Sequence, residues 1–275
     1  MWLGSYLHWV QWRTKTPSIV HVRGPVRPRD VRKHRLRTAT ALISISKRIT
    51  RDLLAAGVSD RKVVQIEDAV DIERFQPGPA SVSALPGASA RRSVVNVGLV
   101  GRVEPAKQQR AYLEAASVLL AELPGRVRFF VVGEIRNRDY FRQLRRFADA
   151  QNLNGQLVFT GRRNDMPDVL NSLDILVSLS GGSVMYEAMS CGKCVVSAGF
   201  SCPEDSMHVR DGLTGVVIPS RERSALVVAL VHLVRHPEER HRLGTAARQW
   251  ARDRLSHVAM AKRTMAFYDH LLTGC

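Results

Sequence analysis

The amino-acid sequence predicts an α/β protein of two lobes built on parallel sheets, the first of them small. Three observations carry that prediction. Short apolar runs alternate with segments of helical period along most of the 275 residues. The runs are apolar throughout, which suits strands buried on both faces. Nearly every run is followed by a helical segment, so the connections are right-handed crossovers between parallel neighbours.

In chain order, residues 19–22, 41–45 and 63–66 read as strands separated by helical stretches. Next comes a segment rich in Pro, Gly, Ala and Ser, from Pro77 to Ala90, the strongest linker signal in the chain. Beyond it, strands are expected at 94–99, 127–132, 156–160, 175–178 and 194–197, with helices at 108–122, 140–150 and 183–190. Residues 220–272 are almost entirely helical in pattern, and no internal repeat or heptad array is visible. The division that follows is a partial first lobe over 1–76, a linker over 77–92, a second domain over 93–254 and a C-terminal helix over 255–275.

Composition narrows the classes. Hydrophobic residues at 45% and charged residues at 24% provide for a sizeable core and argue against disorder. No apolar run approaches the ~20 residues that span a bilayer. The first fifteen residues lack an apolar h-region and a small-residue cleavage site, so a cytoplasmic protein is expected. Four cysteines are too few for a disulfide scaffold.

The formal charge of +16 is carried mostly by arginine, 34 of the 41 basic residues. Such a balance invites nucleic acid, an anionic membrane surface or a phosphorylated small molecule. Half of the excess sits in residues 1–80, with 15 basic and 7 acidic side chains. Arg23, Arg27, Arg29, Arg32, Lys33, Arg35 and Arg37 cluster there against Asp30 alone. No aromatic residue interleaves these charges and no reading motif accompanies them, so no specific nucleic acid is expected. Trp2, Tyr6, Trp9 and Val10 share one helical face. That stripe is read as a helix packed on the first sheet, with an interfacial membrane contact beside the basic cluster as the other reading.

Ligands of a parallel sheet bind where strands end and helices begin. Two such ends stand out. The segment Gly98–Lys107 places Arg102 and Lys107 in a strand-to-helix loop, where two cations could hold a diphosphate. The segment Ser178–Gly192 places Gly181 and Gly182 at a helix start, with Glu187 a turn later. Taken singly, the cations could be solvated loop charge and Glu187 an ordinary acid near a helix N-terminus. Neither segment is a GxGxxG or a Walker loop.

Arg102 with Lys107, then Glu187-Ala-Met-Ser-Cys-Gly192 before a Val-Val strand, then Asp211-Gly-Leu-Thr-Gly-Val-Val217 together resemble the C-terminal domain of family 4 glycosyltransferases, of GT-B fold. Upstream, Asp68-Ala-Val-Asp71 with Phe75 and Pro77 is similar to that family's Asn-Gly-Val-Asp…Phe-x-Pro junction. The resemblance runs from about residue 17 to residue 268. It implies two Rossmann-like lobes, with a truncated acceptor-side lobe over 1–76 and a donor-binding domain over 93–254. The implied reaction is retaining transfer of a sugar from a nucleotide-diphosphate sugar to a saccharide or lipid-linked acceptor. A peripheral contact at the inner face of the membrane is the expectation that the aromatic stripe and the basic cluster add. Arg102 and Lys107 match the residues that hold the donor diphosphate, and Glu187 matches the ribose-binding glutamate. Gly181 and Gly182 fall in the loop that touches sugar and phosphate, and Gly161–Arg162 corresponds to the base-binding wall. No metal and no cofactor are implied. Cys191-Gly-Lys-Cys194, with Cys202 and His208 nearby, imitates a zinc or redox site, but it falls in the family's helix-to-strand turn.

The chain departs from the family at three places. Leu179 stands where the first of two glutamates belongs. Arg23 aligns with the family's histidine, with His21 close by, and these two are the catalytic candidates. Glu204 aligns loosely with a donor-sugar contact. The first lobe is short, so the chain is expected to bind donor better than it transfers sugar. The rival readings are a glycosyltransferase that only binds its donor, a sugar-nucleotide epimerase and a basic nucleic-acid-binding module. The epimerase would need an acid/base pair that the sequence does not offer.

Overall fold

A computed structural model describes residues 4–273 apart from 82, 90, 92, 199–207 and 220–222, with side chains from residue 9 onward. The chain forms two compact units, Met1–Ala69 together with His257–Cys275, and Val70–Ser256. In the first unit, α1 (Gly4–Thr14), β1 (Ile19–Val22), α2 (Pro28–Lys33), β2 (Ala41–Ser44), α3 (Lys47–Ala55) and β3 (Val63–Gln65) follow in order. The strands form a parallel sheet in the order β1-β2-β3, with Ile19 opposite Ala41 and Leu42 opposite Val63. Val22, Val31, Leu42, Ile49 and Leu53 close the core between this sheet and its helices. Ser46 caps α3 by accepting from the Ile49 amide at 3.3 Å.

The aromatic stripe does not pack as expected. Trp9 and Trp12 of α1 are 62% and 65% exposed, and Val10 is exposed as well. What anchors α1 is polar: Gln11 donates to Thr40 at 3.1 Å and accepts from Ser18 at 2.8 Å. Trp2 and the Tyr6 side chain lie outside the described residues.

The second unit carries β4 (Val95–Val100), α4 (Gln109–Glu122), β5 (Val127–Val132), α5 (Arg138–Ala150), β6 (Leu157–Gly161), α6 (Met166–Asn171), β7 (Ile175–Ser178), α7 (Val184–Ser190), β8 (Cys194–Ala198), β9 (Val216–Ile218), α8 (Arg223–Arg235) and α9 (Pro237–Arg254). Helix α10 (His257–Thr273) belongs to the first unit. All six strands are parallel, in the order β6-β5-β4-β7-β8-β9. Alternate strand residues feed two core layers. Val97, Phe129, Ile175 and Val196 enter one with Leu113 of α4 and Leu230 of α8. Phe130, Leu176 and Val195 enter the other with Met189 of α7 and Ala247 of α9. The continuous apolar strands of the sequence are thus buried on both faces.

The Pro/Gly-rich stretch does not separate the units. The Gly78 amide donates to Asn171 at 3.1 Å, Asn171 donates to the Gln76 carbonyl at 3.0 Å, and Ala84 and Leu85 are buried in the second unit's core. Its composition removes regular structure without removing packing. The units divide instead at Ala69/Val70 and at Ser256/His257, and the last helix counts with the first unit.

Residues 70–76 are held down by Arg248 of α9. Its guanidinium donates to the carbonyls of Ile72 and Phe75 at 3.2 and 3.1 Å and to Ser190 Oγ at 2.8 Å. Arg248→Met keeps the stem and strands the Ile72 carbonyl, while the Phe75 carbonyl keeps the Ser190 hydroxyl. We expect it to lower stability by about 1–3 kcal/mol, the usual penalty for an acceptor left without its donor, in urea denaturation. A change within error would show that the segment stays seated without it.

Candidate functional site

Strands β4 and β7 are sheet neighbours, with Leu99 opposite Val177, although they are far apart in sequence. The chain runs outward from β4 to β6 on one side and from β7 to β9 on the other, so their C-terminal ends mark the switch point at which ligands of such sheets bind. The loop after β4 makes one 3-10 turn over Pro105–Lys107 before Gln108 starts α4 at a φ of 62°. The loop after β7 holds Gly181 and Gly182 at φ values of 71° and 129°, a region where glycine carries no steric penalty.

These two loops meet through Lys107. Its stem lies over Gly101, where an added Cβ would stand 3.4 Å from Lys107 Cδ. Its Nζ ends 3.5 Å from the Gly181 carbonyl, beside Gly182. Behind the contact, Gly133 at the end of β5 brings main chain against main chain, since a Cβ there would fall 2.0 Å from the Gly101 oxygen. Arg102 is 57% exposed and pairs with Glu104 at 2.9 Å. Its carbonyl is fixed by fully buried Gln109, whose Nε2 donates at 2.8 Å. Gln109 Oε1 is buried with no hydrogen-bond partner among the described residues.

Glu187 of α7 is half-buried, and its carboxylate has no hydrogen-bond partner among the described residues. Burial raises its pKa, and the positive charge of Arg74 offsets part of that rise. An ammonium over bare glycine backbone, an exposed guanidinium and a carboxylate short of donors make a set suited to phosphate oxygens and to hydroxyl groups. Gly161 ends β6, where its carbonyl accepts from the Gly133 amide at 2.9 Å, and Arg162 is exposed beyond it. β5 separates that strand from β4.

The structure brings Lys107 together with Gly181 and Gly182, carries Arg102 on the same loop and sets Glu187 on the helix that follows the glycines. His21 and Arg23 belong to the first unit. His21 Nε2 lies 3.0 Å from the Tyr268 hydroxyl, and Arg23 pairs with Asp68 at 2.8 Å. Burial, then the charge of Arg23, lowers the pKa of His21, so its ring is neutral at pH 7. Leu179 is 1% exposed in the core and presents nothing to the loop. Glu204 and Cys202 lie outside the described residues.

Cys191 and Cys194 enter the two different core layers, and burial pushes their thiols up to about 11 and about 12. His208 is buried edge-on to Tyr186, with Trp250 Nε1 donating to its Nδ1 at 3.3 Å. Gln109, Gly133 and Arg74 are site residues that sequence reasoning missed. Gln109 falls in the expected helix 108–122 and Arg74 inside the Asp68–Pro77 junction, but neither stands at a marked position there, and only the three-dimensional contacts expose all three.

Comparison with known proteins places this geometry. A family model described as glycosyl transferases group 1 matches residues 95–250. Two D-inositol 3-phosphate glycosyltransferases are similar in sequence. The protein from Geodermatophilus obscurus is 29% identical over 185 residues, covering 63% of this chain and 40% of that one. The protein from Mycobacterium bovis is 30% identical over 189 residues, covering 65% and 37%. The chain therefore spans about two fifths of the length of these relatives. Among solved structures, Anabaena Alr3699/HepE in complex with UDP superposes with a TM-score of 0.86 at 21% identity, over 97% of this chain and 76% of that one. Sucrose-phosphate synthase from Thermosynechococcus elongatus superposes with a TM-score of 0.78 at 18% identity, over 98% and 72%. These likenesses establish a GT-B fold of two Rossmann-like parallel-sheet units.

The raised pKa of Glu187 has a measurable consequence. A carboxyl whose folded pKa exceeds its unfolded value holds its proton more tightly when folded, so stability falls as pH rises from the ordinary carboxylate range through the folded pKa. Glu187→Gln removes that dependence. The variant should be more stable than the parent at pH 7, and the difference should vanish as pH falls below about 4. Parallel stability curves from pH 3 to 8 would contradict the burial of a charge that Arg74 compensates only in part.

Proposed function

The chain belongs to the glycosyl transferases group 1 family, and from that premise we propose that its second unit binds a nucleotide-diphosphate sugar for transfer of the glycosyl group. One observation carries the reading: Lys107 Nζ stands over the Gly181–Gly182 backbone at the switch point of the sheet. In it, Lys107 and Arg102 take the diphosphate, and the glycine loop lets backbone approach phosphate and sugar. Glu187 accepts hydroxyl protons of the ribose, which supplies the donors its carboxylate lacks. Gly161 and Arg162 stand against the base. UDP and UDP-glucose are bound in the Anabaena HepE structures, so uridine nucleotides are the first donors to try.

The chemistry follows from charge. When the anomeric carbon–oxygen bond breaks, its electron pair leaves with the diphosphate, and cations already in place stabilise that charge without reorganisation. Two cations also make a divalent metal dispensable. Retention requires the acceptor oxygen to bond on the face from which the diphosphate departs, and the acceptor class we infer is a saccharide or lipid-linked hydroxyl. No helix among the described residues is long and apolar enough to cross a membrane. Exposed Trp9 and Trp12 in a basic stretch support a peripheral contact with an anionic membrane surface at the cytoplasmic side.

A second reading, donor binding without transfer, is favoured by Leu179. Its side chain is buried where the family places a carboxylate, so that carboxylate is lost from the sugar side. Donor hydrolysis and transfer assays separate the two readings.

Charge-assisted contacts to phosphate contribute ~1.5–3 kcal/mol each. Arg102→Ala and Lys107→Ala should therefore each weaken UDP binding roughly 10- to 100-fold in calorimetry, and EDTA should leave the parent affinity unchanged. Equal affinities in parent and variants would remove the site from these loops.

A further inference from the structure

A cavity of about 330 Å³ lies wholly within the first unit and takes no part in the reading above. Ile43 of β2 and Ile66, just past β3, both buried, form one wall, and Met260 and Met265 of α10 form the other. Its volume falls at the lower end of the range for small-molecule sites. Helix α10 buries none of its residues completely, and Val258, Met265 and Leu272 are 47%, 62% and 72% exposed. An apolar helix face left this open beside buried isoleucines is unusual for a folded domain. Methionine walls adapt to apolar ligands of varied shape.

The polar residues of the cavity are His21, Arg23, Asp68 and Thr264, whose hydroxyl donates to the Met260 carbonyl of its own helix at 2.9 Å. Arg23 is 64% exposed and marks the open end. It contacts Asp68 Oδ1 at 2.8 Å, and a guanidinium carries five N–H donors, so most of its fork is available beside that contact. The Arg23–Asp68 pair is neutral as a unit, but it stands in a stretch, residues 1–80, with 15 basic and 7 acidic side chains. That field draws anions toward the free edge of the fork, whose planar donors match phosphate. The His21–Tyr268 pair at 3.0 Å offers a neutral polar neighbour to a head group.

We propose that this cavity seats the hydrocarbon chain of a single-chain anionic amphiphile, with its phosphate-type head on Arg23. The inference is independent of the nucleotide site, whose residues all belong to the second unit.

The test uses the full chain and three probes: decyl phosphate below its micellar concentration, 1-decanol and inorganic phosphate. Decyl phosphate should bind in calorimetry, decanol at least tenfold more weakly and inorganic phosphate not measurably. Ala261 lines the cavity and is exposed, so Ala261→Trp fills the space without disturbing the core. It should weaken decyl phosphate at least tenfold and leave UDP affinity and the circular dichroism spectrum as in the parent. Arg23→Gln should weaken decyl phosphate tenfold and leave decanol unchanged. Equal binding of decyl phosphate by parent and Ala261→Trp overturns the proposal. So does failure of the folded protein to bind decyl phosphate, whether or not UDP binds. Self-association abolished by Ala261→Trp without amphiphile binding would assign the face to a second copy instead. Binding to phosphatidylglycerol vesicles that is insensitive to Ala261→Trp, without binding of the monomeric probe, would assign it to a membrane surface.

Discussion

The reversal of strand order between β4 and β7 is the constraint on which the nucleotide-facing end of the second unit depends. Parallel strands joined by right-handed crossovers must place their helices alternately above and below the sheet as the chain changes direction. The loops leaving the two central strands therefore diverge, and a crevice opens where they part. Lys107 spans it. Its stem needs a side-chain-free floor, which Gly101 provides, and its ammonium needs an oxygen at the far side, which the Gly181 carbonyl provides. Gly133 then lets β5 close against the same turn. A ligand phosphate arriving at Lys107 would meet a cation already positioned by packing.

The sequence was legible where burial leaves a pattern. Apolar runs such as 127–132 and 175–178 name their strands because both faces of a parallel sheet are covered. Arg102, Lys107 and Glu187 could be picked out because they sit at fixed offsets from glycines and strand ends. The short helix Met166–Asn171 and the three-residue strand Val216–Ile218 leave no such mark, since neither is long enough to show a period. The stretch 77–92 misleads for a related reason. Proline and glycine report that the chain is irregular, and they are silent about side-chain amides such as Asn171 that hold irregular backbone in place. Cys191 and Cys194 mislead in the opposite direction. Two cysteines three positions apart suggest one site, yet the turn and the strand alternation send them to opposite faces of the sheet.

The hydrogen bonds give the arginine excess a structural reason. Composition offers nucleic acid, membrane or a phosphorylated ligand as the reason for 34 arginines. Several of them are bound to the protein's own main chain. Arg37 donates to the Ala56 carbonyl at the end of α3, Arg240 to Leu233 and Val234 at the end of α8, and Arg242 to Gly212. Arg128 reaches Gly87, Arg163 reaches Ser83 and Arg248 reaches Ile72 and Phe75. Each fork satisfies carbonyls that helix ends and loops leave without intrahelical or ladder partners.

Lysine does the same in places, Lys62 donating to the Arg37 and Ala39 carbonyls at 2.9 Å each and Lys193 to Asn171 at 2.8 Å, but the planar guanidinium offers five donors in a fixed fork against three on a rotatable ammonium. A long segment without regular structure, such as 71–81, must find donors for its carbonyls elsewhere. Forked cations on neighbouring helices and strands supply them while their second edge stays in water. Much of the charge in the second unit is thus a by-product of how its loops are held, and net charge alone identifies no partner. The charges that point to a ligand are those the protein's own acceptors leave underused: Lys107, at 3.5 Å from a single carbonyl, and Arg102 and Arg23, each exposed beside one carboxylate.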